Sequence, residues 1–206
     1  MGFTIYKIIM KKHLENQINS LKASYRSFDY KIADKMLDDC IYAIRENKAI
    51  IATALGKNVP ICEKFVGTLN SLGISAHFVH SNSAVHGDIG KINRGDIVII
   101  LSKSGETEET VYLCELLKKR KTRNWLITSK KNSTSLSLVK NHIYIEIVNE
   151  GDPWNVVPNN SSVAFLVFLQ SVSMALIDKL QIPLKKFKNN HPGGNIGKIL
   201  RNCEKN

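Results

Sequence analysis

The sequence predicts a three-layer α/β/α sandwich around a five-stranded parallel sheet, with additional helices at the N-terminus. From Lys48 onward, five short runs rich in β-branched residues alternate with longer stretches of helical periodicity. Helical crossovers between successive strands form right-handed βαβ units, which give a parallel sheet covered by helices on both faces. The most unusual polar residues follow directly after the predicted strands, at the edge where such sheets bind ligands.

The segment before this alternating region is predicted to be helical. Asp29 is placed to cap a helix, because an aspartate at that position can accept hydrogen bonds from the first backbone amides. The apolar stripe of this helix consists of Ile32, Leu37, Cys40, Ile41 and Ile44. The spacing is typical of a helix with one buried face, and N-terminal helices are therefore predicted over residues 1–47.

The α/β core is predicted over residues 48–182, followed by a C-terminal segment over residues 183–206. Strands are predicted at Ala49–Ala54, Ser75–His80, Asp96–Leu101, Asn124–Thr128 and His142–Ile147. Core helices are predicted at Pro60–Leu72, Thr107–Lys119, Ser133–Val139 and Ser161–Leu180. Pro60 fits the first turn of its helix, and Gly73 fits the glycine that often ends one. No linker or repeat divides the chain, so residues 1–206 are predicted to form a single domain.

Composition and charge argue against several classes of protein. The 206 residues are 43% hydrophobic and carry a formal net charge of +11. The basic clusters lie at helix ends and in loops without interleaved aromatic residues, which favours a solvated surface over nucleic-acid binding. The apolar run Val163–Leu180 contains several polar residues and is predicted to be a buried helix rather than a membrane span. The first residues lack a signal-peptide core, so we expect a cytoplasmic protein without a membrane partner.

Cysteine spacing and glycine motifs bear on metals and cofactors. The four cysteines are Cys40, Cys62, Cys114 and Cys203. They form no CxxC pair and have no histidine at metal-ligand spacing, so we expect reduced thiols and no metal site. Neither a GxxxxGK[ST] loop nor a GxGxxG fingerprint occurs, so no nucleotide cofactor is expected.

A Ser/Gly turn between Leu101 and Glu108 is the first candidate binding motif. It follows a predicted strand and precedes a predicted helix, which gathers backbone N–H groups and the hydroxyls of Ser102, Ser104 and Thr107 around one point. Such a turn at the positive end of a helix dipole can hold a phosphate group. The alternative is an ordinary helix cap by Ser104 or Thr107, and the turn alone does not decide between the two.

Ionisable residues follow other predicted strands. Lys57 stands behind Gly56 at the end of the first strand, His86 lies in the loop after the second, and Glu150 follows the fifth. His191 lies beside two glycines near the end of the chain. Each residue alone is more typical of a loop or a surface. Together, a cation, carboxylates and imidazoles beside a phosphate site suit proton transfer next to a carbonyl, with an enediolate stabilised by positive charge.

These motifs resemble the sugar isomerase (SIS) domain family, and within it the D-arabinose-5-phosphate isomerases most closely. The segments that carry the resemblance are Gly56-Lys57, Ala84–Gly90, Ser102–Glu106, Glu150 before a proline-containing turn, and His191–Lys198. They occur in the family's order over residues 45 to 200. The S-x-S-G-E turn is shared by SIS domains in general, whereas A-x-H-G-D-x-G and H-P-G-G-x-[IL]-G are more specific to this branch.

The resemblance implies a flavodoxin-like fold and a set of site residues. The implied catalytic residues are Lys57, Glu106, Glu150 and His191. The implied substrate- and phosphate-binding residues are Gly56, Asn58, His86, Ser102, Ser104, Gly105 and Thr107. In the implied mechanism, Glu150 or His191 takes the carbon-bound proton, Lys57 stabilises the enediolate, and Glu106 orients Lys57 or a hydroxyl.

The resemblance also implies an activity and an assembly. The activity is the reversible conversion of D-ribulose 5-phosphate to D-arabinose 5-phosphate without a redox cofactor, which supplies the acid sugar Kdo of lipopolysaccharide or capsule. Family members usually form tetramers in which histidines reach a neighbour's site. The chain ends just after the SIS domain, where many relatives carry regulatory CBS modules, so no regulatory nucleotide site is expected.

Two departures from the family pattern leave the sugar specificity open. The family's G-x-G-K-S-G becomes Ala54–Val59, which loses two glycines and a serine hydroxyl, and a Thr/Ser-rich segment becomes Pro158–Ser162. The alternatives are an isomerase of another phosphosugar, such as a hexulose 6-phosphate, and a non-catalytic sugar-phosphate-binding regulator. The retained acid–base residues favour an enzyme.

Overall fold

The computed structural model describes residues 2–202 of the chain, and the side chains of residues 8–200. The helices are α1 (Gly2–Ser24), α2 (Tyr30–Arg45), α3 (Val59–Ser71), α4 (Ser81–Val85), α5 (Glu108–Leu117), α6 (Thr134–Leu138), α7 (Asn160–Leu180), α8 (Leu184–Asn189) and α9 (Gly194–Asn202). The strands are β1 (Ile50–Ala54), β2 (Ala76–His80), β3 (Ile97–Leu101), β4 (Arg123–Thr128) and β5 (Asn141–Tyr144). Two 3-10 turns lie at Gly56–Asn58 and Asp88–Lys91.

The five strands form one parallel sheet in the order β2-β1-β3-β4-β5. Strand β1 lies between β2 and β3, and Ala54 at its end is level with Leu101 at the end of β3. The chain therefore leaves β1 and β3 on opposite sides of the strand-order reversal. That reversal is the position where doubly wound sheets bind ligands.

Alternating residues of the strands face two separate hydrophobic layers. On one face, residues such as Ile50 and Ile99 pack with buried side chains of α2, α3 and α7. On the other face, neighbours such as Ile51 and Ile100 pack with residues of α4 and α5. The strands β1 and β3 are buried on both sides, as expected for central strands of a parallel sheet. The predicted three-layer α/β/α architecture is confirmed.

The predicted N-terminal helices are confirmed within the described residues. The Asp29 carboxylate accepts hydrogen bonds from the amides of Lys31 and Ile32 at 3.0 and 3.2 Å, which caps α2 as predicted. The apolar stripe differs at one position, because the Ile32 side chain is exposed while Met36 completes the buried face. Ile32 lies in the first turn of α2, where Ala33 packs against the core instead.

Two parts of the core differ from the sequence prediction. Strand β5 ends at Tyr144 rather than at Ile147. The amide of Ile145 still donates to the carbonyl of Thr128 at 2.9 Å. However, β4 ends at Thr128, so later residues have no strand partner. The sequence predicts a loop around His86 after β2, whereas the structure contains α4 and the 3-10 turn at Asp88–Lys91 in this region.

Helix α7 has the length and composition of a membrane span but packs as a core helix. Among the described helices it alone meets that criterion, which a core helix of a globular protein also meets. Its buried face includes Phe165, Leu169 and Leu176, which belong to the hydrophobic layer shared with α2 and α3. This packing agrees with the prediction of a buried helix over Val163–Leu180.

The described cysteines are free and buried, as predicted for reduced thiols. They are Cys40, Cys62 and Cys114. Burial raises the pKa of each thiol, to about 11 for Cys114. Thiols of this kind are protonated and unreactive at neutral pH. Cys203 lies outside the described residues.

Candidate active site

A polar cavity of about 240 Å³ opens at the carboxyl ends of β1 and β3. Its walls come from the turns that follow these two strands, from the start of α5 and from the start of α7. The lining residues are Leu55, Lys57, Asn58, Leu101, Ser102, Lys103, Ser104, Thr107, Thr110, Pro158 and Ser161. The cavity therefore lies at the reversal of strand order, where the sequence placed the binding site.

The Ser/Gly turn after β3 is held by hydrogen bonds within itself. The amide of Gly105 donates to Ser102 Oγ at 3.1 Å, and the amide of Glu106 donates to Ser104 Oγ at 3.2 Å. Each serine oxygen thus accepts a bond from the turn, while its own hydroxyl proton can still donate to a ligand. Gly105 has a φ of +66°, and a Cβ at this position would collide with the side chain of Ser133. The turn therefore requires glycine at position 105.

The first turn of α5 is not capped by a side chain. Thr107 occupies the N-cap position, yet among the described residues it makes no side-chain cap bond. Ser104 Oγ accepts from Glu106, which precedes the helix, so it does not cap α5 either. Neither Ser104 nor Thr107 therefore forms an ordinary side-chain cap on α5. Unpaired amides at a helix N-terminus beside a polar cavity are suited to binding an anion.

Lys57 and Asn58 contribute the opposite wall of the cavity. They belong to the 3-10 turn after β1, which starts at Gly56 with a φ of +58°. The Lys57 side chain lines the cavity and is exposed, and within residues 8–200 no carboxylate forms an ion pair with it. Its ammonium group can therefore face a ligand in the cavity.

Glu150 is fully buried and does not line the cavity itself, but it contacts residues that do. The amides of Asn159 and Ser161 donate to Oε2 at 3.0 and 2.9 Å. The Ser161 hydroxyl donates to Oε1 at 2.6 Å, and the Lys103 ammonium forms an ion pair with the same oxygen. Ser161 and Lys103 both line the cavity, so Glu150 is connected to it through these two side chains.

The surroundings of Glu150 favour its ionised form. Burial raises the pKa of Glu150, but hydrogen bonds from Lys103, Ser161 and Asn159 lower it by more, so the pKa lies below its ordinary value. A carboxylate at the start of α7 is also stabilised by the helix dipole. Glu150 is therefore a buried anion at neutral pH, and it caps the longest helix of the core.

The loop that precedes α7 fixes the position of Glu150. Asn155 accepts a hydrogen bond from the amide of Glu150 at 2.7 Å, and the Asn159 side chain donates to the Glu150 carbonyl at 3.0 Å. The Asp152 carboxylate accepts bonds from three amides later in the loop. The sequence places Glu150 in a turn, where an exposed side chain is common. These contacts explain why it is instead held in place and buried.

The sequence motifs do not identify Lys103, Ser161 or Thr110 as site residues, although all three line the cavity. Lys103 is the variable position of the S-x-S-G-E turn, and no local pattern marks a lysine there as functional. Ser161 begins the long helix that follows Glu150, and a hydroxyl in the first turn after a candidate carboxylate is the signal that could have identified it. Thr110 lies one helical turn after Thr107 on α5.

Glu106 is not brought to the cavity. Its side chain is exposed, and its carboxylate accepts a hydrogen bond from the amide of Thr134 at 2.9 Å. Hydrogen bonds from the Thr134 side chain and backbone lower the pKa of Glu106. The expectation that Glu106 orients Lys57 is thus not met within a single chain, because the carboxylate instead caps the short helix α6.

His86 and His191 also lie apart from the cavity in one chain. His86 is exposed at the end of α4 and does not line the cavity. The His191 ring stacks on Phe187 with centroids 4.0 Å apart, and its Nδ1 lies 2.8 Å from the Phe187 carbonyl oxygen. His191 lines a separate cavity of about 550 Å³ between α3, α7 and α8, which shares no residue with the first. The expected convergence of all these groups therefore does not occur within one chain.

Within the described residues, no group of three His, Cys, Asp or Glu side chains is arranged to hold a metal ion. The cavity beside Lys57 instead presents hydroxyl, amide and ammonium donors. Donors of this type suit an anionic ligand rather than a cation.

Comparisons with known proteins agree with this architecture. The chain matches the SIS domain family over residues 43–175. The arabinose 5-phosphate isomerase KdsD of Salmonella typhi is 31% identical over 151 residues, which are 73% of this chain and 46% of KdsD. This chain spans about half the length of the curated relatives it matches.

Solved structures give the same result. A protein of E. coli CFT073, determined in complex with arabinose 5-phosphate, has a TM-score of 0.84 and 28% sequence identity over 93% of this chain and 100% of that one. A Listeria monocytogenes protein has a TM-score of 0.85 and 22% identity over 94% of this chain and 100% of that one, which is a likeness of fold.

The sheet order and the position of the cavity define a doubly wound α/β domain with its site at the switch point. The chain belongs to the SIS domain family, and the resemblance found in the sequence motifs is confirmed.

Proposed function

We propose that this chain is an aldose–ketose isomerase that interconverts D-ribulose 5-phosphate and D-arabinose 5-phosphate through an enediolate. The observation that carries the proposal is the cavity itself, in which two lysines and several hydroxyls surround a space next to the buried carboxylate of Glu150. The likeness to KdsD and to a structure holding arabinose 5-phosphate supports a phosphosugar as the substrate.

In this proposal the phosphate group binds at the start of α5. The hydroxyls of Ser102, Ser104 and Thr107 donate to its oxygens, and the uncapped amides of the helix contribute further N–H groups. The turn at Gly105 keeps these donors in place. Lys57 and Asn58 then contact the sugar from the opposite wall, with the reacting carbons towards Glu150.

Glu150 is proposed to move the carbon-bound proton. The carboxylate takes a proton from the carbon next to the carbonyl, the electrons of the C–H bond form the carbon–carbon double bond, and the carbonyl electron pair moves to oxygen. Lys57 stabilises the resulting enediolate. The proton on Glu150 exchanges with solvent, and the hydroxyl proton moves from one enediolate oxygen to the other. Glu150 then protonates the neighbouring carbon, which completes the isomerisation. We favour Glu150 over His191 because Glu150 contacts two residues of the cavity wall.

His86, Glu106 and His191 are proposed to act from a neighbouring subunit. They lie apart from the cavity in one chain, and a homotetramer with shared sites would bring them to a cavity of another subunit. In this arrangement His191 moves hydroxyl protons. We further propose that the enzyme is cytoplasmic, and that its product supplies Kdo for lipopolysaccharide or capsule.

A substrate panel without added cofactor tests the proposal. The purified protein is incubated with D-ribulose 5-phosphate, D-ribulose and a hexulose 6-phosphate, and aldose formation is followed by NMR. We expect turnover of the pentulose phosphate and none of the unphosphorylated sugar. Preferred turnover of the hexulose 6-phosphate would replace the substrate in this proposal. Binding of the phosphosugars without turnover would indicate a regulator instead.

A further inference from the structure

The four hydrogen-bond donors on Glu150 differ in how easily they can leave. Three come from the start of α7, namely the amide of the N-cap residue Asn159 and the amide and hydroxyl of Ser161. The two amides are fixed by the backbone, and the Ser161 side chain is buried. The fourth is the ammonium of Lys103, at the end of a flexible side chain that is 37% exposed and lines the cavity.

A carboxylate offers about four lone-pair sites, and here all of them are occupied. Glu150 as observed has no free oxygen site with which to take a proton from a substrate. The other donors belong to the start of α7. Breaking the ion pair with Lys103 therefore frees a site on Oε1 with the least change to the structure. The freed site is the one nearest the cavity, since Lys103 approaches from there.

We propose that Lys103 is a positioning residue that couples occupancy of the cavity to the availability of Glu150. An anionic substrate draws the Lys103 ammonium away from Oε1, and that oxygen then receives the carbon-bound proton. This inference rests on the proposed function, in which Glu150 is the base.

The charge distribution in the cavity favours this exchange of partners. The lining residues include two lysines and no carboxylate, so an incoming phosphosugar brings the first anion into the space itself. A phosphate group competes well for an ammonium that is partly exposed, because a lysine can bind it with little change elsewhere. Since the Lys103 bond is one of the contacts that lower the pKa of Glu150, its loss also makes the carboxylate a stronger base.

Other titratable groups around Glu150 are engaged differently. The Asp152 carboxylate accepts bonds from amides of its own loop. His13 of α1 lines a different cavity, which also includes Asn159, and Lys57 lines the first cavity from the turn after β1. Among the described residues, Lys103 is the one charged side chain that pairs with Glu150.

The coupling is tested by following the titration of Glu150 directly. The side-chain carboxyl carbons of glutamate are labelled with ¹³C, and Glu150 is assigned by comparison with Glu150→Gln. Its pKa is measured with and without inorganic phosphate in the wild type and in Lys103→Met, Lys103→Arg and the control Lys118→Met. Phosphate binding is monitored separately through the amide signals of Gly105 and Glu106.

We expect phosphate to raise the pKa of Glu150 in the wild type, in Lys103→Arg and in Lys118→Met. In Lys103→Met the pKa is raised before phosphate is added, and phosphate changes it less. Phosphate-induced amide shifts without any change at Glu150 would overturn the coupling. Absence of amide shifts would overturn the phosphate site and with it the proposed function. Turnover by the wild-type protein tests the proposed function independently.

Kinetics provide a second readout of the same coupling. For Lys103→Met we expect kcat/KM to fall by about tenfold to a hundredfold, the range for a lost hydrogen bond to a charged group. The acidic limb of kcat/KM, which reports the free enzyme, shifts to higher pH, while the acidic limb of kcat changes less. A purely structural lysine would lower the rate without moving these limbs relative to each other, and that result would contradict the proposal.

Discussion

The cavity at the ends of β1 and β3 and the segment around His191 are built in different ways. The cavity is assembled by the sheet, because its walls are the turns that follow two adjacent parallel strands. His191 is held by local contacts with Phe187 in a C-terminal segment that packs against α3 and α7. The first region brings distant residues together within the chain. The second region presents a histidine on another surface.

This difference shows what one chain can complete by itself. Residues at the carboxyl ends of neighbouring parallel strands converge whatever their distance in sequence. His191 in the C-terminal segment is placed by its contacts with Phe187 and lies apart from the cavity in one chain. The isomerase proposed here therefore has a phosphate site and a carbon base in each chain, and takes its imidazole from a neighbour.

Mixing two inactive variants tests whether Glu150 and His191 of one site come from different subunits. We expect Glu150→Gln and His191→Ala each to lower turnover by about 10²–10⁴-fold, the usual contribution of a general acid or base. Mixed assemblies of the two variants should regain turnover, because some sites then combine an intact Glu150 with an intact His191. Activity is measured after co-refolding. Variants that stay inactive together would contradict a shared site.

Replacement of Lys57 tests the cavity side of the comparison. Lys57→Met removes the ammonium proposed to stabilise the enediolate and should lower kcat by about 10²–10³-fold, the range for loss of one oxyanion donor. Lys118→Met removes the same charge from the far end of α5 and serves as the control. Steady-state kinetics distinguish the two, and an equal, small effect of both variants would remove Lys57 from the mechanism.

The glycine of the phosphate turn should be sensitive to substitution for a conformational reason. Gly105→Ala places a side chain at a left-handed φ, which costs about 1–2 kcal/mol, and also against Ser133. Gly67→Ala within α3 has open space at its Cβ and should instead stabilise the protein by roughly 0.5–1 kcal/mol. Urea unfolding measures both. A Gly105→Ala variant as stable as Gly67→Ala would show that the turn does not require glycine.

The smallest expected effect is the dependence of stability on Glu150 ionisation. Because the folded-state pKa of Glu150 is lowered, its contribution to stability is fully present above the ordinary value of 4.5 and is lost as the pH falls through the folded-state pKa. The stability difference between the wild type and Glu150→Gln should therefore shrink on acidification below 4.5. Urea unfolding across this range checks the trend, with the exposed Glu146→Gln as control. A difference that grows would contradict the lowered pKa.

The sequence predicted the fold and the position of the site more fully than the contacts within the site. Strands β1 to β4 agree with their predicted ranges to within one residue, because β-branched runs between turn residues are local signals. The role of Lys103 could not be predicted, since its partner Glu150 is 47 positions away in the sequence. The placement of Glu106 and His191 depends on contacts with Thr134 and Phe187, which no sequence pattern encodes.

Deuterium transfer from solvent tests directly whether Glu150 is the base that acts on the substrate carbon. Wild-type protein, Glu150→Gln and Glu146→Gln are each incubated with D-ribulose 5-phosphate in deuterated water without cofactor, and the product is analysed by NMR. We expect arabinose 5-phosphate carrying deuterium at C2 from the wild type and from Glu146→Gln, and formation slower by about 10²–10⁴-fold with Glu150→Gln. Deuterated product formed by Glu150→Gln at the wild-type rate would contradict this role of Glu150.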